Sequence, residues 1–204
     1  MILEAAGREF AAVGPAGART DAIAAAAGVN KRMLYHYFGS KERLYETVLA
    51  TRLADYVGEA PAALLGDQLN RRAADARERG DDVRLLMWEA LTRSAPSVAA
   101  NAARSATWRA RVASLGAAQR AGAIAADVDA AQLELALAAL TIFPFAFRQI
   151  AVMVTGGTPG EPAFDTAHAT FLAALANRLA TPPRRRDASK PRVRLTAATI
   201  SRAD

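Results

Sequence analysis

The 204-residue sequence predicts an all-α protein: an N-terminal three-helix unit with a helix-turn-helix, followed by a larger helical domain. Three observations predict it. Alanine, the best helix former, recurs throughout the chain. Apolar residues repeat at three- and four-residue spacing, and stretches that alternate apolar with polar residues are scarce. Glycine, proline and capping residues break the chain at intervals suited to helices. Hydrophobic residues make up 52% of the chain, enough for a substantial core.

The first helix is expected over residues 2–13, with Leu3, Ala6, Phe10 and Val13 on one face. Gly14-Pro15-Ala16-Gly17 ends it. A short helix is expected over 19–27, then the turn Gly28-Val29-Asn30, then a second short helix over 31–38. Gly39-Ser40 breaks the chain again, and Ser40 stands where it caps a long helix starting at Lys41. Pro61 suits the first turn of the next helix, which ends near Gly80. Asp81 or Asp82 caps another, with Val83, Leu86, Met87, Ala90 and Leu91 on its buried side. Pro96 marks a boundary before a helix over 101–121. Asp129, with Gln132 three residues on, has the capping-box pattern. The helix it opens is expected to run to about residue 154 and, being apolar on most faces, to be buried all round. A loop at 155–160 precedes a last helix over 163–180.

Charge and composition exclude several function classes. The net charge is +6, but residues 182–204 hold seven basic and two acidic side chains, so most of the excess sits in the tail. This tail, residues 181–204, opens with Pro182-Pro183 and Arg184-Arg185-Arg186 and is expected to be disordered. It reads as an inert solvated tail, as a source of nonspecific phosphate attraction, or as a partner contact. No cysteine is present, which excludes disulfides and thiolate chemistry. The longest uncharged apolar run, residues 135–147, is interrupted by Pro144 and falls short of the roughly 20 residues that span a bilayer. Glu4, Arg8 and Glu9 interrupt any apolar stretch at the start, so no secretion signal, a cytoplasmic location and no membrane partner are expected. His36 and His168 are the only histidines, and no metal-ligand spacing surrounds them. The glycines at 156, 157 and 160 lack the Lys-Ser/Thr ending of a phosphate loop. No nucleophile–base constellation appears, so no enzyme activity, metal or cofactor is expected.

The informative segment is Thr20 to Lys41. Two helices of about eight residues around Gly28 form a helix-turn-helix, with glycine supplying the positive φ of a tight turn. Ile23, Ala27, Val29, Leu34 and Phe38 are spaced to pack the pair against the first helix. Lys31, Arg32, Tyr35 and His36 are left outward on the second helix. Such a helix is about 12 Å long, close to the width of the B-DNA major groove. Lysine or arginine pairs with guanine O6 and N7, and tyrosine packs on a thymine methyl or donates to phosphate. Ser40-Lys41 adds a helix start with a lysine, a combination that suits a phosphate.

Several runs taken together resemble the DNA-binding signature of the TetR-type (TetR/AcrR) transcriptional regulators. They are Ile2-Leu3-Glu4-Ala5-Ala6 with Phe10 and Gly14, Ile23-Ala24, Ala27-Gly28-Val29, and the run from Leu34-Tyr35-His36-Tyr37-Phe38-Gly39-Ser40 to Lys41-Glu42-Arg43-Leu44. The resemblance covers residues 2–50. It implies that Lys31, Arg32, Met33, Tyr35 and His36 face the groove, that Tyr37 and Lys41 contact phosphates, and that Arg19 and Thr20 begin a supporting helix touching the DNA backbone. Trp88-Glu89, Gln119-Arg120-Ala121-Gly122 and Thr155-Gly156 are similar to a subgroup's C-terminal domain. Ala18 departs from the pattern, standing where relatives often carry a capping Thr or Ser, so capping is expected to shift to Gly17 or Thr20.

On this reading residues 1–46 bind double-stranded operator DNA, and residues 47–180 dimerise and bind a small-molecule effector. The expectation is a homodimeric, ligand-released repressor on a palindromic operator. The alternatives are an activator of the same fold, or a helical small-molecule-binding protein with an inactive DNA domain. The last two long helices, about 129–154 and 163–180, would form the dimer interface. Trp88, Trp108, Phe143, Phe147 and Arg148 are the candidate effector-binding residues, the aromatics supplying an apolar wall and Arg148 a polar anchor.

Overall fold

The computed structural model describes residues 1–54, 65–94 and 102–180, and all regular structure in them is helical. Pro61, Pro96 and the basic tail 181–204 lie outside the described residues. The elements are α1 (Ile2–Gly17), α2 (Thr20–Ala26), α3 (Lys31–Phe38), α4 (Lys41–Ala54), α5 (Leu65–Glu78), α6 (Gly80–Thr92), α7 (Ala102–Arg120), α8 (Ala130–Ala146), α9 (Arg148–Thr155) and α10 (Pro162–Ala180).

The first helix kinks where the glycine and proline predict. Gly14 adopts φ 73°, ψ 171°, a conformation accessible essentially to glycine alone. Pro15 has no N–H to give the carbonyl of Ala11 four residues back. The indole Nε1 of Trp88, on α6, donates to that carbonyl at 3.3 Å. The indole ring then covers Gly14, with ring carbons 2.9 Å from where a Cβ would stand. Proline, glycine and tryptophan thus act as one joint between α1 and α6.

Two hydrophobic cores follow from the helix faces. The first gathers Phe10, Ile23, Leu34, Leu44, Val48 and Leu53 from α1 to α4, together with Leu85 of α6. Burying each of these larger side chains stabilises the fold by about 1.5–3 kcal/mol. The 46/47 division expected from sequence falls inside α4, whose Val48, Leu49 and Leu53 are buried in this core. The second core joins Leu69 of α5, Leu115 of α7, Leu133 and Leu137 of α8, and Leu172 of α10. Helix α10 runs antiparallel along α5. Gly66 meets Ala173 and Ala176 at one end, and Arg77 pairs with Asp165 at 3.1 Å at the other.

Between these helices the interior is also ionic. Glu134, almost fully buried, accepts from Arg72 at 3.0 Å and from Arg111 at 3.4 Å. Glu89 accepts from Arg104 at 2.8 Å. Burial pulls the Arg111 guanidinium below the ordinary arginine range, with neighbouring Arg72 acting in the same direction.

Three expectations need correction. Neither Asp81 nor Asp82 caps α6, whose cap residue Arg79 makes no side-chain capping bond. Asp82 is instead fully buried and takes Nε bonds from Arg52 and Arg79, both at 2.6 Å. The buried face of α6 is Asp82, Val83, Leu85 and Glu89, while Ala90 is exposed and Leu91 is 76% exposed. Contact with α1 and α4 sets that face, and the apolar pattern alone misassigned it by a fraction of a turn. The helix expected from 130 to 154 is two helices. Phe147 leaves helical geometry (φ −119°, ψ 57°), and α9 turns 94° from α8. Nor is this segment buried all round, since Leu135, Met153 and Val154 are each at least 65% exposed. Asp129 does cap α8, accepting from the amides of Ala131 and Gln132.

Gly14→Ala would put a methyl group into the Trp88 ring on backbone that alanine rarely adopts. The expected cost is about 2 kcal/mol in urea denaturation. Gly80→Ala, with open space around it, should change stability by less than about 0.5 kcal/mol. Equal effects at the two glycines would contradict the joint.

Candidate nucleic-acid interface

The helix-turn-helix is set by backbone chemistry at the α2–α3 turn. Gly28 takes φ 66°, the amide of Val29 bonds to the Ala24 carbonyl, and the amide of Gly28 bonds to the Ala25 carbonyl. This six-to-one, five-to-two pair of bonds is the glycine-terminated helix stop that needs a left-handed residue. Asn30 opens α3, its side-chain oxygen accepting from the Arg32 amide at 2.8 Å. Gly39 closes α3 at φ 75°. Ser40 caps α4 as expected, accepting from the Arg43 amide at 3.1 Å.

Sequence reasoning missed the device that starts α2. Neither Gly17 nor Thr20 supplies a cap. Arg19 opens the helix without a side-chain capping bond, and its amide donates to Glu9 of α1 at 3.2 Å. Glu9 lies ten residues away, and nothing local in the sequence marks that contact. Asn30 was legible, because asparagine just ahead of a helix is a strong N-cap.

The structure brings most of the sequence-assigned residues onto one surface. On α3, Lys31, Arg32, Met33, Tyr35, His36 and Tyr37 are exposed, while Leu34 is buried and Phe38 partly so. Tyr37 is 66% exposed and meets His36 edge-on at 5.4 Å. Two contacts tie this face to α2. The Tyr35 hydroxyl lies 3.4 Å from the Thr20 hydroxyl, and Lys31 Nζ lies 2.9 Å from Asp21. The Asp21 carboxylate raises the Lys31 pKa above its ordinary value, keeping the ammonium charged. Arg19 is exposed at the start of α2.

Lys41 sits differently from the rest. Its ammonium donates to the carbonyls of Ala16 and Ala18 at 3.3 Å each, so one of its three donors remains for another partner. At the start of α4, Ser40 meets the Arg43 amide. Glu42 is bonded to its own amide and to Ser40, which lowers its carboxyl below the usual range. The amides that the helix start offers to a phosphate are therefore partly taken from within.

The five candidate effector residues fall in different settings. Trp88 plugs the α1 kink. Trp108 lies under the Arg111 guanidinium, 5.4 Å from ring centroid to carbon. Phe143 and Phe147 pair at 5.0 Å with both rings partly exposed. Arg148 lines a cleft between the end of α4, the α5–α6 junction and the α8–α9 bend.

A helical reading platform of this build, ahead of a second helical domain, also appears in known proteins. Residues 2–48 match the family described as bacterial regulatory proteins, tetR family. Residues 65–178 match the tetracyclin repressor-like C-terminal domain. The chain belongs to the TetR family of transcriptional regulators. Among TetR-family relatives, the HTH-type transcriptional repressor SCO4008 of Streptomyces coelicolor is 30% identical over 158 residues, 76% of this chain and 82% of that protein. The HTH-type transcriptional repressor NicS of Pseudomonas putida is 48% identical over 48 residues, 24% of this chain and 23% of that protein. The crystal structure of a Streptomyces coelicolor transcriptional regulator, SCO4942, superposes with a TM-score of 0.67 at 28% identity, covering 87% of this chain and 94% of that one. A TetR-like regulator from Rhodococcus sp. RHA1 shares the fold at 23% identity and a TM-score of 0.56, over 87% of this chain and 92% of its own.

Asn30→Ala should cost about 1 kcal/mol of stability in thermal melts, because one α3 amide loses its acceptor. Asn30→Asp should restore most of it. A melt unchanged by Asn30→Ala would remove the cap from the account of how α3 is held.

Proposed function

We propose that this TetR-family chain is a repressor that binds a near-palindromic operator as a homodimer and leaves it when a small molecule binds. The observation that carries this reading is the outward face of α3, where two cations, two tyrosines, a histidine and a methionine crowd two helical turns. In this reading residues 1–46 bind DNA. Lys31 and Arg32 address guanine edges, and Met33, Tyr35 and His36 line the groove. Tyr37 and the remaining donor of Lys41 take phosphates, and Arg19 and Thr20 touch the backbone from α2, fixing register without reading sequence. The repressor sense is supported by the relatives SCO4008 and NicS, each named an HTH-type transcriptional repressor.

Residues 47–180 would dimerise and sense the effector. Leu135 and Phe143 on α8 and Phe171 on α10 are exposed at 65%, 43% and 49%, an apolar set that favours pairing with a second copy. A two-fold dimer would present its two α3 helices about 34–36 Å apart, one DNA turn, which is why the operator should be near-palindromic. The effector would act by binding better to a conformation with a different spacing.

Selection of bound duplexes from a random pool should yield an inverted repeat. Against that sequence, the double variant Lys31→Ala, Tyr35→Ala should bind at least about tenfold more weakly in a mobility-shift titration. Specific binding at wild-type strength would remove α3 as the reading helix. The double variant Leu135→Glu, Phe171→Glu should shift sedimentation from dimer to monomer at micromolar concentration. A wild-type chain that already sediments as a monomer there would refute the dimer.

A further inference from the structure

The end of α4, the α5–α6 junction and the α8–α9 bend surround a cleft of about 710 Å³. That volume falls in the range of small-molecule sites. Five arginines line it, Arg52, Arg77, Arg79, Arg84 and Arg148, against two acids, Glu78 and Asp81. Three of the five are engaged. Arg52 and Arg79 hold Asp82, and Arg77 holds Asp165 and Glu78. Arg84 and Arg148 are exposed, and neither pairs with a carboxylate among the described residues. Arg84 and Arg148 are thus the two guanidiniums of the cleft left to take an outside anion, and arginine is the side chain best shaped to grip a carboxylate with two parallel bonds.

A second observation points to the same place. Arg77 and Phe145 also line a smaller recess of about 100 Å³ between α5 and α10. Two buried polar atoms of that recess, Asn70 Oδ1 and His168 Nε2, have no hydrogen-bond partner among the described residues. The other ring nitrogen of His168 bonds to the backbone of Leu140, and burial lowers the histidine's pKa, so the ring is neutral and Nε2 is an acceptor. Buried acceptors of this kind are normally satisfied, and a ligand hydroxyl, with one proton to donate, would satisfy one of the two.

The geometry points to a binding site for an amphipathic organic anion. Its carboxylate lies against Arg84 and Arg148, its carbon skeleton lies over Met87 and Phe145, and a hydroxyl at its far end enters the recess and donates its proton to Asn70 Oδ1. This inference names the effector class of the proposed regulator and rests on that reading for its regulatory meaning.

The test is isothermal titration of the full chain, without DNA, using para-hydroxyphenylacetate and omega-hydroxydecanoate as probes of two lengths. At least one should bind at millimolar concentration or below, and its neutral amide should bind about tenfold more weakly. The variant Arg84→Ala, Arg148→Ala, altered at two exposed positions, should keep the wild-type melting temperature and lose about tenfold in carboxylate affinity. The hydroxylated acid should bind better than phenylacetate or decanoate, and Asn70→Leu should erase that preference. No binding of either acid, equal binding of acid and amide, or an unchanged affinity in the arginine variant would each overturn the site. Equal binding of the hydroxylated and plain acids would overturn the role of the recess. Because no DNA is present, failure here is distinct from failure of the operator reading, which the Lys31 and Tyr35 variant tests.

Discussion

Two proline-freed carbonyls hold the helices together. Pro15 leaves the Ala11 carbonyl without its helical donor, and Trp88 of α6 supplies one. Pro144 does the same to Leu140, whose backbone bonds to His168 of α10. A buried carbonyl without a partner costs about 1–3 kcal/mol, so each proline creates a demand that only a different helix can meet. The first joint ties the DNA-reading unit to the second domain. The second ties α8 to α10, the helices on which the proposed dimer depends. Positions that look like helix breakers in the sequence are thus the points where distant elements lock.

Charge makes a parallel set of ties between α4 and α6. Asp82, fully buried, gathers the Nε atoms of Arg52 and Arg79, and Arg79 also donates to the Arg52 carbonyl at 2.8 Å. Glu46 and Arg93 pair at 2.9 Å farther along the same two helices. Helix α4 begins at Lys41, just after α3, and ends at the arginine-lined cleft. One rigid element therefore spans the distance from α3 to the proposed anion site.

The interior of the second domain is unusual in being stapled by ion pairs, Glu134 with Arg72 and Arg111, and Glu89 with Arg104. Removing one partner of such a pair strands a buried charge, which makes these contacts sensitive to substitution even where their net stabilisation is small. Two of the aromatic side chains are engaged elsewhere in the packing. Trp88 serves the α1 kink, and Trp108 serves Arg111.

The sequence by itself determined the helical class, the helix-turn-helix, the outward face of α3 and the caps at Ser40 and Asp129. Each rests on residues within four positions of one another, where local backbone chemistry decides the outcome. Gly28 and Gly39 take positive φ for the same local reason. Tertiary structure alone decided what joins residues far apart in the chain. It set Glu9 on the Arg19 amide, turned Asp82 from a capping candidate into a buried acceptor, rotated the buried face of α6, and bent the chain at Phe147. Those outcomes depend on which helix lies opposite, and an amphipathic pattern records how much surface is apolar without recording the partner that covers it.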